Sequence, residues 1–252
     1  MFKKERKKTN EKKDIVLIVS SLGAPPYLGG IENVIDTLIN SSLRSSYRFE
    51  VFDTYRVPDD KRTLLSKLLF ATTLPFIFAI NIFKIKPDIV HIHFCSRTDF
   101  WKHSLCLLAS KIMRVRVIFH LHGGSFDSTY EQYSGLTKFI VRRILSAPDV
   151  LIALSSYWKA FLSKITDDVD IRIAPNPIDS KKLGAYSNST DEIINLSILL
   201  MGCIGRRKGH FDVINAAVLV VNKYPESQFY FAGIDENNGA TDELEQLAKQ
   251  NN

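Results

Sequence analysis

Short apolar runs alternate with amphipathic stretches along most of the chain, and that alternation predicts the fold class. Asp14–Ser20 (DIVLIVS), Tyr47–Thr54, Asp88–His93 (DIVHIH), Arg116–Leu121, Asp149–Leu154 and Ile171–Ala174 read as strands. Between them, Glu32–Leu43, Leu64–Phe83, Lys102–Met113, Leu136–Leu145 and Tyr157–Ile165 carry apolar residues at helical spacing. Strands that alternate with helices imply a parallel, doubly wound α/β sheet with Rossmann-like winding. After the polar stretch Ser180–Glu192 the pattern restarts: strand Leu196–Met201, helix Phe211–Tyr224, strand Gln228–Ala232 and a helix from Asp242 to Lys249. The organisation predicted is a tail over 1–13, a first domain over 14–180, a linker over 181–192 and the start of a second domain over 193–252. Some sixty residues with two strands are few for a well-buried α/β domain, so the expectation is a truncated second domain.

The helix over Leu64–Phe83 (LLSKLLFATTLPFIFAINIF) contains Lys67, Thr72, Thr73, Pro75 and Asn81, which is poor for a membrane span. A kinked, largely buried helix is the favoured expectation, with insertion at a membrane interface the minority one. Ile198–Met201 reads as a buried parallel strand. The loop after it holds Gly202, Gly205, Arg206, Arg207, Lys208 and Gly209, and a helical pattern follows from Phe211. Cations between the carboxyl end of a strand and the start of a helix suit a phosphate. This is not a Walker A loop, because Lys208 precedes Gly209 rather than Ser or Thr.

Composition narrows the classes. The chain has 252 residues, 45% apolar and 24% charged, which excludes long disorder. Its net charge of +6 points to an anionic partner, and much of the excess lies in MFKKERKKTNEKK, a tail suited to anionic lipid and without the apolar stretch of a signal peptide. Cys95, Cys106 and Cys203 form no CxxC or paired framework and read as free thiols of a reducing compartment. Basic residues lack the aromatic interleaving of a nucleic-acid platform, so no nucleic-acid partner is expected.

Four segments fall at strand ends: Pro26-Tyr27-Leu28-Gly29-Gly30-Ile31-Glu32, His120-Leu121-His122-Gly123-Gly124-Ser125-Phe126, Ala174-Pro175-Asn176-Pro177-Ile178-Asp179, and Gly202–Gly209. In this order and spacing, with PDIVHIH and VLIALSSYWKAFL between them, they resemble the family 4 retaining glycosyltransferases of GT-B fold, from Asp14 onward. The resemblance implies two Rossmann-like domains and transfer of a sugar from a nucleotide-sugar to an acceptor, a polysaccharide or lipid-linked glycan, with retained configuration. It implies no cofactor and no metal, the nucleotide-sugar being a substrate, and a cytoplasmic enzyme resting on the inner membrane face.

Gly29 and Gly30 match the family's glycine-rich loop at the donor phosphates. His122 matches the histidine that contacts the donor sugar near the reacting centre, and Lys208 the lysine that neutralises the diphosphate leaving group. Gly202, Arg206 and Arg207 go with Lys208 on the donor side, while Glu32, Gly123, Asn176 and Pro177 are interdomain or acceptor-side candidates. Two departures stand out. Cys203 occupies the place of the family's usual arginine, with Arg206 or Arg207 the expected substitute, and the family's paired-glutamate motif would lie beyond Asn252. This leads to the expectation of a chain without efficient transferase activity by itself.

Two rival readings follow. A non-catalytic acceptor-binding or membrane-docking subunit is one. The other is a metal-dependent hydrolase, because His91-x-His93 and His120-x-His122 each point to one face of a strand, with Cys95 and His103 close in sequence. No carboxylate falls at a recognised metal spacing, and the hydrolase is the less favoured.

Overall fold

The computed structural model describes residues 13–22, 29–54, 64–178, 196–235 and 239–251, without the side chains of 64–68, 70 and 71. The basic tail, the tip of the first glycine-rich loop and the expected linker over 181–192 lie outside the described residues. The chain divides into two compact units, Met1–Lys182 and Leu183–Asn252.

The first unit is built on β1 (Asp14–Ser20), β2 (Tyr47–Asp53), β3 (Ile89–Phe94), β4 (Arg116–Leu121), β5 (Val150–Ala153) and β6 (Asp170–Ile173). They form one sheet in the order β2-β1-β3-β4-β5-β6, and every neighbouring pair is parallel. The helices are α1 (Gly30–Ile39), α2 (Leu64–Ile85), α3 (Thr98–Ile112), α4 (Phe126–Glu131), α5 (Gly135–Leu145) and α6 (Ser156–Ile165). Only the β1-to-β2 connection runs toward one edge of the sheet, and all later ones run toward the other. Right-handed crossovers then require α1 on one face and α2 to α6 on the opposite face.

Packing follows that rule. Leu17, Val19, Val90, Ile92, Phe94, Phe119, Leu121 and Leu151 cluster with Leu74 and Phe78 of α2, Phe100 and Leu107 of α3, Phe126 of α4, Leu145 of α5 and Leu162 of α6. Val16 and Ile18 point the other way and pack on Ile35 of α1. Ser134 and Ser155 start α5 and α6 by accepting the Thr137 and Trp158 N–H groups. Phe94 and Phe119 stack with ring centroids 3.9 Å apart at the middle of this core.

Three sequence expectations change. The helix α4 was not expected: six residues are too short for periodicity, although Phe126 and Tyr130 share one buried face. The α2 helix continues through Pro75 and is buried along one stripe only: Leu74, Phe78 and Ile82 face the core, whereas Phe76 and Phe83 are each 71% exposed. Among the described residues no helix is long and apolar enough to cross a membrane.

The second unit holds β7 (Ser197–Met201) parallel to β8 (Gln228–Ala232), with α7 (His210–Lys223) and α8 (Ala240–Gln250). Ile204, Phe211, Ile214 and Leu244 form its small core, with Phe231, Leu247 and Ala248 against it. The third correction concerns β7, which is parallel as expected but not buried: Leu199 is 60% and Met201 74% exposed. The core residues of α7 and α8 meet the β8 face that carries Phe231, and side chains alternate across a strand, so Leu199 and Met201 point away from that core.

The aromatic stack gives a stability prediction. Phe119→Ala is expected to cost about 3–5 kcal/mol, read as a lower denaturant midpoint. Phe83→Ser on the outer side of α2 is expected to change stability by about 0.5 kcal/mol or less.

Candidate functional site

In an open α/β sheet the ligand crevice lies at the carboxyl ends of the strands, where the strand order reverses. Here the reversal falls between β1 and β3, which both pair with neighbours on opposite sides. Glycine 29, the start of α1, residues Cys95–Arg97 after β3 and His122–Ser125 after β4 all lie at that edge.

The α1 start is tighter than the sequence suggests. Gly29 has φ −96°, so glycine is not required there by its backbone conformation. A Cβ there would meet the carboxylate of Glu32, the free end of a side chain that folds back over Gly29 and can swing aside. The acidic group sits against the positive end of the α1 dipole.

The histidine pairs are brought together by strand register. His93 pairs directly with His120 across β3 and β4, and alternation puts His91, His93, His120 and His122 on one face. His93 Nδ1 lies 2.8 Å from His122 Nε2, and His91 Nε2 lies 3.3 Å from His120 Nδ1. One nitrogen of each of His91, His93 and His120 falls within 4.8 Å of the others. Burial favours the neutral rings, lowering His91 to about 3, His120 to about 2 and His122 to about 4, with neighbouring imidazoles adding to the effect on His91 and His120. Burial, the three other rings and His103 hold His93 well below its ordinary value too. At His122 the Asn176 side chain pulls in the opposite direction, which places this exposed loop residue against the half-buried imidazole. Pro177 follows it on the same exposed segment.

The loop carrying His122 is held in an unusual conformation. Gly123, Gly124 and Ser125 have φ of 73°, 69° and 66°, all left-handed. The left-handed φ favours glycine at Gly123, and a Cβ there would also crowd the Trp158 indole at 3.3 Å. Ser96 Oγ donates to the Gly124 carbonyl at 3.0 Å and ties this loop to the one after β3.

A second polar cluster was missed by sequence reasoning. Asp99 accepts the Cys95 N–H at 2.8 Å, and His103 Nε2 lies 2.9 Å from Thr54 Oγ1 at the end of β2. Ser21 Oγ, at the end of β1, bonds Thr54 Oγ1 at 3.1 Å and receives the Lys102 ammonium. Burial raises the Asp99 pKa, but His103, Lys102 and the Cys95 N–H outweigh it and hold the carboxyl well below the usual range. The i, i+4 spacing of Asp99 and His103 on α3 was the available signal. Cys95 and His103 therefore serve this cluster, and neither joins the group of His91, His93 and His120.

In the second unit, the strand-end loop is folded around His210. Its Nδ1 meets the Gly205 backbone, 3.2 Å from the carbonyl, and its ring packs on Phe231. Gly202 has φ 144° and Gly233 φ 157°, and a Cβ on Gly233 would strike the Gly202 carbonyl, so the ends of β7 and β8 approach as only glycine allows. The Lys208 stem lies over Gly202, 3.7 Å from where a Cβ would stand. Arg206 is directed elsewhere: it stacks on Phe211 at 4.1 Å and pairs with Glu243. Arg207 is exposed beside them, and Cys203 is half-buried.

Comparison with known proteins fits this architecture. The model described as Glycosyltransferase Family 4 matches residues 28–182, more than half of the chain, and the chain belongs to that family. No match was found among curated protein sequences. Among solved structures, sucrose-phosphate synthase from Thermosynechococcus elongatus is 15% identical with a TM-score of 0.69, covering 95% of this chain and 68% of that one. A trehalose-6-phosphate protein from E. coli, bound with UDP-2-fluoro glucose, is 12% identical with a TM-score of 0.61, covering 94% and 69%. UDP-GlcNAc 2-epimerase from Neisseria meningitidis, bound to UDP-GlcNAc, is 12% identical with a TM-score of 0.55, covering 96% and 71%. These likenesses establish a GT-B-type fold, and the chain spans about two thirds of the length of each.

The histidine face predicts a pH dependence. Each ring has a folded pKa below its ordinary 6.5, so on acidification the unfolded chain takes up protons first. Stability is full above pH 6.5 and is lost as the pH falls toward about 4 for His122 and about 3 for His91. The expected slope is about 1.4 kcal/mol per pH unit for each ring. Denaturant midpoints between pH 7.5 and 5 are expected to fall less steeply in His120→Gln than in the parent.

Proposed function

We propose that this chain acts in transfer of a sugar from a nucleotide-sugar to a glycan or lipid-linked acceptor, with retention of configuration. The observation that carries the reading is His122, a neutral imidazole at the carboxyl end of β4 with Asn176 against it. Sugar transfer passes through positive charge at the anomeric carbon. A cationic ring beside that carbon would oppose it, whereas a neutral imidazole donates or accepts a hydrogen bond at no electrostatic cost. His93 fixes the ring by its bond to Nε2, so His122 meets the sugar in one orientation.

The leaving group is a nucleoside diphosphate, on which negative charge grows. Lys208 is the cation suited to it, because its stem lies along the end of β7 while Arg206 is engaged by Glu243. Arg207 adds positive charge to the same loop. Gly29, Gly30 and Glu32 sit where α1 begins, and Glu32 is the group that must move or bond a sugar hydroxyl when substrate enters. Gly123 holds the His122 loop against Trp158, and Asn176 bonds the imidazole from the segment after β6, which continues into Pro177. Charge neutralisation by side chains and helix N–H groups makes a metal unnecessary for this chemistry.

The acceptor side favours a membrane surface. Phe76, Ile80 and Phe83 recur at i, i+4 and i+7 on the outer face of α2, all exposed, with Lys84 and Lys86 exposed at its end. An apolar stripe with a basic end suits the interface of an anionic bilayer. The free thiols at Cys95, Cys106 and Cys203 agree with a cytoplasmic setting.

Three measurements test these readings. Calorimetric titration of UDP, GDP and their sugar conjugates against the 252-residue chain is expected to show binding that Lys208→Ala weakens about tenfold or more, some 1.4 kcal/mol. In a transfer assay the parent chain is expected to turn over slowly, and His122→Ala to lower that rate about 10²- to 10³-fold with little change in nucleotide affinity. Nucleotide affinity indifferent to Lys208 would remove the assignment of the diphosphate to this loop. Sedimentation with anionic vesicles is expected for the parent and lost in Phe76→Ser/Phe83→Ser, and equal sedimentation of both would remove the docking assignment.

A further inference from the structure

The proposed transfer uses one of the four histidines on the β3 and β4 face, and the other three form a feature of their own. His91, His93 and His120 are 9%, 0% and 4% exposed, and one nitrogen from each lies within 4.8 Å of the others. His91 Nε2 and His120 Nδ1 are 3.3 Å apart. Two nitrogens bound at about 2.0–2.1 Å to one tetrahedral ion stand at about that separation. The Nε2 atom of His93, which faces this group, is buried without a hydrogen-bond partner. Unpaired buried polar atoms are uncommon in folded proteins and call for an explanation.

We propose that His91, His93 and His120 form a nitrogen-only site for a divalent transition ion of the zinc type. The chemistry selects the ion. Three imidazoles suit zinc, cobalt, nickel or copper, whereas magnesium, calcium and manganese favour carboxylate and carbonyl oxygen. Among the described residues no carboxylate belongs to the group. Three protein ligands leave one position of a tetrahedron for water or another small ligand. Ligation through the unpartnered Nε2 of His93 keeps its Nδ1 bonded to His122 Nε2 at 2.8 Å. A ligating ring that donates its other N–H to a neighbour is held in one tautomer, and His122 is then held with it. The site owes nothing to the sugar-transfer reading, because it rests on the two strands alone.

The test uses the full chain without an affinity tag, stripped with chelator and then titrated with zinc chloride by calorimetry and with cobalt chloride by visible absorption. One ion per chain is expected, with the intense bands of four-coordinate cobalt. His91→Gln and His120→Gln are each expected to weaken binding about tenfold or more. The control His103→Gln, on the separate Thr54 cluster, is expected to bind as the parent does. Circular dichroism checks that each variant is folded. A zinc-dependent rise in Tm, present in the parent and absent from folded variants, supports the site. Absence of stoichiometric binding, binding unchanged in both ligand variants, or only the faint spectrum of octahedral cobalt in the parent overturns it. The cobalt spectrum of the parent decides the matter even if both ligand variants fail to fold.

Discussion

The handedness of the strand–helix–strand crossover decides where everything else in the first unit can go. Four connections run across to β3 or on toward β6, and one runs toward β2, so the five helices α2 to α6 share a face with α1 alone opposite. The crowded face takes the large aromatic side chains Phe78, Phe94, Phe100, Phe119 and Phe126. The opposite side of β3 and β4 receives no helix from these crossovers. That is the side on which the four histidines stand, and a polar cluster is tolerated there because it does not interrupt the main core.

Burying imidazoles is costly unless they stay neutral and find partners. Here burial itself favours the neutral form, and the rings satisfy one another in two pairs across the strands. The arrangement leaves several nitrogens buried without partners. It also sets the chemical character of His122, whose ring is neutral near neutrality and is oriented by His93 rather than by a carboxylate. The left-handed run Gly123–Ser125 then turns the chain sharply away, so His122 stands at the very end of the strand.

The second unit solves a smaller packing problem with less material. Its buried apolar residues are Ile204, Phe211, Ile214 and Leu244, and the basic loop is shaped by glycines and by His210 rather than by a large core. Gly202 and Gly233 let the two strand ends nearly touch, and Lys208 lies over the gap that the missing Cβ leaves. Arg206 and Lys208 are two residues apart in a tight turn, yet one is drawn to Phe211 and Glu243 and the other to the strand end.

Much of this was legible in the order of residues. Asp14–Ser20, Arg116–Leu121 and Gln228–Ala232 match their strands to the residue, because apolar runs bounded by polar ones leave little freedom in where a parallel strand begins and ends. The family resemblance, carried by strand-end loops, was legible for the same reason: glycine, histidine and lysine at those positions serve local backbone and charge needs. What sequence could not supply was which side chains meet across strands. Each histidine pair announces a shared face by its spacing of two, but only the register of His93 against His120 joins the pairs. The Asp99 network was hidden because Ser21, Thr54 and Asp99 are far apart in the chain and meet only where three strands end. Periodicity likewise marks α2 as apolar without saying how much is covered, and marks β7 as a strand without its neighbours. Burial is a property of what packs on a surface, and that is decided by the tertiary fold.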